Sequence, residues 1–184
     1  MIDESALSLA RDRRRTVVGI VGFAVAMAAA SQIAIPIPGT AVPMALSPLA
    51  AVLAGLWLGP RAGAASMVLY LAAGAAGLPV FAPMGAPGAL RLIGPTGGYL
   101  LAFPIAAFAA GAVARRYPAF AGRVLAAAFG IVLIHVGGIA QLTILTGSVT
   151  RAVIVGSLPF LAIDLVKALL AGALSRGRAD SARA

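Results

Sequence analysis

The chain has 184 residues, 61% of them hydrophobic and only 10% charged, with a mean hydropathy of +1.04. Soluble domains carry about 25% charged residues, so a soluble globular enzyme is excluded, as are disorder and collagen. The net charge of +9 does not point to nucleic acid, because the basic residues cluster beside apolar runs in the way of membrane-flanking charge.

In chain order, residues 1–15 form a basic tail with Arg11, Arg13, Arg14 and Arg15. A first apolar run extends from Thr16 to Ile35 and stops where Pro36 and Pro38 remove helical donors. Its alanines Ala24, Ala26, Ala28 and Ala30 read as a small-residue packing surface, open to a neighbouring helix or to a partner protein. A cleaved leader is the competing reading, disfavoured because the run continues past the small residues to Ile35. Further runs follow at Leu46–Leu58, Arg61–Gly77, Pro95–Val113, Val124–Thr146 and Pro159–Leu174. The second, third and sixth are shorter than the ~20 residues of an ordinary span and call for tilt or shelter by neighbours.

The expected architecture is therefore an all-α integral membrane protein of six transmembrane helices over residues 16–175, closed by a C-terminal tail at 176–184. Positive charge sets its orientation. With both termini in the cytoplasm, Arg61, Arg115, Arg116, Arg123, Arg176, Arg178 and Arg183 join the four N-terminal arginines inside, and only Arg91 and Arg151 lie outside. The corresponding location is the inner, cytoplasmic membrane, with the lipid bilayer as first partner. No internal repeat relates the two halves.

Ionisable groups at membrane depth point to function by default. Asp164 and Lys167 are three residues apart on one helical face. With Ser157 as N-cap and Pro159 in the first turn, they lie roughly 8 and 12 Å along the sixth helix. They either neutralise each other as a structural pair or converge on a solute. Arg91 breaks the positive-inside pattern and carries a fork suited to carboxylate, or it is a solvated loop cation. Together the three charges suit a small anion that also bears N–H donors. Gln141, Thr143 and Thr146 are candidate polar lining or interhelical glue. His135 reads as a packed, hydrogen-bonded histidine or as a proton relay.

With no Cys, one His and no Gly-x-Ser-x-Gly, neither a metal centre nor a nucleophile is expected. The Gly-rich turn Gly94-Pro95-Thr96-Gly97-Gly98-Tyr99 lacks the Lys and spacing of a P-loop. No catalytic residue and no cofactor are expected.

Three stretches resemble the BioY family, the biotin-specific S components of energy-coupling-factor transporters. They are Ile35-Pro36-Ile37-Pro38-Gly39-Thr40-Ala41-Val42-Pro43 running on to Gly59-Pro60-Arg61; Gly77-Leu78-Pro79 followed by the Gly94 to Tyr99 signature; and Pro159-Phe160 with Asp164 and Lys167. The resemblance spans about residues 20 to 175 and departs from the family at Met44-Ala45-Leu46-Ser47-Pro48, where a more polar stretch is usual. It implies a six-helix S-component bundle with an outward-facing biotin pocket. In that pocket Arg91 and Lys167 are candidates for the valerate carboxylate, Asp164 for the ureido N–H groups, and Tyr99 and Gln141 for further contacts. It further implies a gate at Pro36, Pro38 and Pro43, and helix-one alanines facing a transmembrane coupling subunit driven by two ATPases. A self-sufficient proton- or ion-coupled carrier, with Asp164 or His135 exchanging a proton, is the alternative.

Overall fold

The computed structural model describes residues 4–175. The C-terminal tail at 176–184 and residues 1–3 of the N-terminal tail lie outside the described residues. The first helix, α1, spans Glu4–Gln32, twelve residues earlier than the apolar run begins. The arginine-rich segment lacks Gly and Pro, so nothing in it stops a helix. Its end also differs: Ala34–Ile35 (β1) pairs antiparallel with Met44–Ala45 (β2), Ala34 opposite Ala45 and Ile35 opposite Met44. The proline loop is thereby held as a hairpin, turning at Gly39 with φ 84°.

After the hairpin come α2 (Ser47–Leu58) and α3 (Pro60–Ala75), joined at Gly59, whose φ of 82° suits a glycine. A long loop contains the single turn α4 (Leu90–Ile93) and leads to α5 (Gly97–Arg116). Helix α6 spans Phe120–Thr146, and Gly147 in the left-handed conformation ends it. Then follow α7 (Val149–Gly156), a 3₁₀ turn over Leu158–Phe160, and α8 (Leu161–Leu174).

The last segment corrects one expectation. The apolar helix begins at Val149, with Ser148 as its cap accepting from the Arg151 amide, and it is interrupted at Ser157 and Pro159 rather than started there. Ser157 makes no capping bond with its side chain. The missing amide of Pro159 explains the break.

Among the described residues four segments are long and apolar enough to cross a membrane: Arg11–Gln32, Gly97–Arg116, Phe120–Thr146 and Val149–Leu174. At 1.5 Å per residue, α2 and α3 reach only about 18 and 24 Å, short of the ~30 Å hydrocarbon thickness. Much of the apolar residue surface on these segments faces outward, as with Ile105, Leu125, Val136, Ile144 and Leu165. Such a surface is compatible with lipid and not with water. This is a multi-pass membrane protein.

Close helix packing forms the core. A Cβ on Gly98 of α5 would meet the Gly137 carbonyl of α6, and one on Gly137 would meet the Gly98 carbonyl. Gly55 of α2 and Gly111 of α5 form a second contact of this kind. Glycines here allow backbones to touch. The alanines of α1 do not share one face. Ala24 is buried and Ala28 packs against the core, whereas Ala26 is exposed. At 100° per residue, positions two apart point to nearly opposite sides.

Candidate functional site

At the end of the bundle bearing the hairpin and α4, a cleft of about 690 Å³, partly open to solvent, lies between α5, α6, α8 and the loops. Three buried charges line it: Arg91 at 4% exposure, Asp164 at 5% and Lys167 at 3%.

The α8 wall holds a chain of polar groups. Lys167 Nζ donates to Asp164 Oδ1 at 2.7 Å, and His135 Nε2 lies 2.7 Å from Asp164 Oδ2. An ionised carboxylate only accepts, so Nε2 carries the proton. His135 Nδ1 then accepts from Ser157 Oγ, 2.8 Å away. Nearly one helical turn separates Asp164 from Lys167, which gives the local pair. The α6 histidine comes from 29 positions away.

The pair is not saturated. An ammonium has three donors and a carboxylate about four acceptor sites, so both keep capacity toward the cleft after these bonds. A pair closed on itself would not need to line a cavity. Structural pairing and solute contact are thus compatible in the same two residues.

Arg91 lines the same cleft from a different element, the short helix α4 in the loop before α5. Its guanidinium donates to the Ala82 carbonyl and lies against Gly85, where a Cβ would collide with it and where φ is 111°. Only glycine leaves that space. Burial lowers the Arg91 pKa from its ordinary value, and the nearby Tyr70 opposes that shift. A guanidinium nonetheless remains charged at physiological pH. With five N–H donors and the Ala82 carbonyl as acceptor for one of them, the fork keeps donors to offer a carboxylate. Tyr70 itself pairs with Ser31 Oγ at 2.8 Å, and both line the cleft.

Tyr99 and Gln141 have different placements. The Tyr99 ring lines the cleft, but its hydroxyl donates to the Gly156 carbonyl at 2.6 Å, and the ring packs edge-on to His135. Tyr99→Phe is expected to lower stability by about 1 kcal/mol while leaving solute affinity within about threefold. Thermal unfolding and a binding titration check this. Gln141 is not brought to the cleft wall. Its Nε2 donates to the carbonyls of Leu92 (3.1 Å) and Gly94 (2.6 Å), clamping the exit of α4 and so positioning Arg91. The Gly-rich signature has a packing reason: a Cβ on Gly97 would strike the Leu92 carbonyl.

Of the proline loop, Pro43 lines the cleft with Val42 and Ala45, while Pro36 and Pro38 do not. Gln32 donates to the Val80 and Phe81 carbonyls and ties the end of α1 to the loop before α4. Read from the sequence, Ser157 is a cap, Phe160 is only part of a motif and Ser31 has no site role. A polar residue in an apolar run was the available signal for the two serines. Among the described residues no cluster of metal-ligating side chains occurs.

Comparisons with known proteins identify the family and the fold. The model of the BioY family matches residues 4–183. A probable biotin transporter BioY of Pyrococcus horikoshii is 41% identical over 71% of this chain and 76% of its own. The biotin transporter BioY of Thermotoga maritima is 35% identical over 77% of this chain and 83% of its own. That of Rhodobacter capsulatus is 33% identical over 90% and 92% respectively. A solved structure described as the S-component for biotin from an ECF-type ABC transporter shares the fold, with a TM-score of 0.85 over 92% of this chain and 93% of that one, at 24% identity.

Proposed function

The chain belongs to the BioY family, and from that premise we propose that it is a biotin-capture subunit rather than an enzyme. It binds biotin in the cleft beneath the hairpin and delivers it across the membrane with a transmembrane coupling subunit and two ATPases. The observation that carries the reading is the placement of three buried charges on two walls of one cleft: Arg91 on the loop side, and Asp164 with Lys167 on α8.

Biotin separates a carboxylate from a ureido ring by an aliphatic chain. In this reading Arg91 takes the carboxylate, Asp164 accepts from the ureido N–H groups, and Lys167 donates to the ureido oxygen. The apolar side chains of Leu100, Phe103, Ile134 and Phe160, which line the cleft, cover the rest. Pro43 and its hairpin serve as the gate, with Pro36 and Pro38 fixing the hairpin's shape.

In the membrane the protein would cross six times, α2 and α3 as short spans sheltered by neighbours, α7 and α8 together as the sixth. Both termini would lie in the cytoplasm, as the arginine distribution favours. Ala26, on the exposed side of α1, suits contact with the coupling subunit, whereas Ala24 and Ala28 serve the bundle itself.

The test is binding of labelled biotin to the purified chain. Arg91→Ala and Lys167→Ala are each expected to weaken it by about 10- to 150-fold, as a charge-assisted contact of about 1.5–3 kcal/mol implies. Arg91→Ala should also abolish the preference for biotin over its methyl ester. Unchanged binding in both variants would sink the assignment. The hydrogen-bonded chain from Ser157 through His135 to Asp164 favours a second reading, a proton-coupled carrier. Uptake driven by a pH gradient into proteoliposomes holding this chain alone would establish it.

A further inference from the structure

A second cleft, of about 840 Å³, lies at the other end of the bundle, where α2 meets α3 and α5 meets α6. Its walls are Leu56, Trp57, Leu58 and Ala114, and its charges are Arg115 and Arg123, with no carboxylate among the lining residues. Two like charges converge there. Arg123 Nε is buried without a hydrogen-bond partner among the described residues, a state that ordinarily implies an unseen acceptor. The Arg115 guanidinium lies over Gly59, where a Cβ would collide with it. The fold thus makes room for this group without providing an anion for it among the described residues.

The surroundings specify the acceptor. Trp57 is 40% exposed and stacks edge-on against Phe23, presenting an apolar wall beside the arginines. A fork of guanidiniums suits a phosphate, and an adjoining aromatic wall at the membrane boundary suits the upper part of an acyl chain. Basic pockets between membrane helices bind anionic headgroups in this manner. We propose that this cleft is a binding site for the phosphodiester of an anionic phospholipid, gripped by Arg115 and Arg123 and packed against Trp57. The proposal is independent of biotin binding at the opposite end.

Trp57 is the only tryptophan in the chain, so its fluorescence reports on the site directly. The full chain in neutral micelles is titrated with phosphatidylglycerol or phosphatidylcholine, each brominated on its acyl chains. Phosphatidylglycerol is expected to quench Trp57 at about tenfold lower mole fraction, as one charge-assisted contact implies. Arg115→Gln with Arg123→Gln should erase that preference, while Arg13→Gln with Arg14→Gln, an equal loss of charge, should leave it. If the first pair does not fold, Arg115→Lys with Arg123→Lys is read instead and should weaken the preference by at least about twofold by removing the fork. Equal quenching by both lipids, or equal losses in the two Gln pairs, would overturn the proposal. Displacement of the brominated lipid by millimolar inorganic phosphate would overturn the lipid source and assign the cleft to a soluble phosphate.

Discussion

Asp164→Asn is expected to destabilise the protein by about 3–5 kcal/mol and to reduce biotin binding beyond the reach of an ordinary titration. The carboxylate accepts from both Lys167 and His135 at 2.7 Å, and Asp164 and Lys167 are shielded from water. Asparagine preserves the shape and an acceptor for His135 but leaves the Lys167 charge buried without a counter-ion. Breaking a buried pair by removing one partner is costly for that reason, whereas replacing both partners with neutral groups is often tolerated. The double variant Asp164→Asn with Lys167→Met should therefore recover most of the lost stability while remaining unable to bind biotin. Thermal unfolding in detergent and a binding titration separate the two effects. A double variant no more stable than Asp164→Asn would show that the pair's coupling is not what holds α8 in place.

Gly137→Val should destabilise the bundle by about 3 kcal/mol, with Gly98→Val comparable. A Cβ at either position meets the carbonyl of the other glycine across the α5–α6 contact, and backbone cannot move aside as a side chain can. The helices must separate, and overpacking of this kind costs about 1–3 kcal/mol even where side chains can yield. The consequence reaches the site, because Tyr99 follows Gly98 and His135 lies half a turn before Gly137. Biotin affinity should fall in the fraction that remains folded. The control is Gly22→Val on α1, where a Cβ would meet nothing within 4 Å and stability should change by no more than about 0.5 kcal/mol. Equal losses at Gly22 and Gly137 would refute the packing argument.

Where the sequence carried a local signal, it was legible. Gly59-Pro60, Gly147 and the prolines after Ile35 all stand at breaks between elements. The Asp164–Lys167 pair was readable because both members lie within one helical turn. Other features rested on weaker cues and came out differently. The sixth apolar helix was placed from Pro159 although it runs from Val149, because a proline with a serine two residues before it resembles a helix start and here marks an interruption. The four alanines of α1 read as one small-residue packing surface, and helical geometry separates Ala26 from Ala24 and Ala28.

By itself the sequence determined the solvent and the inventory: composition this apolar demands lipid, and positive charge confined to a few loops distinguishes the ends of the helices. It also placed an acid and a base on one turn at depth. Only the tertiary structure decided that His135 completes the Asp164 network, that Ser157 serves His135 instead of capping a helix, that Arg91 is buried in the same cleft as Asp164 and Lys167, and that Gln141 clamps a loop. The physical reason is that periodicity reports which residues share a face of one helix. How two faces are turned toward each other depends on contacts such as Gly98 on Gly137, which are made between residues far apart in the chain.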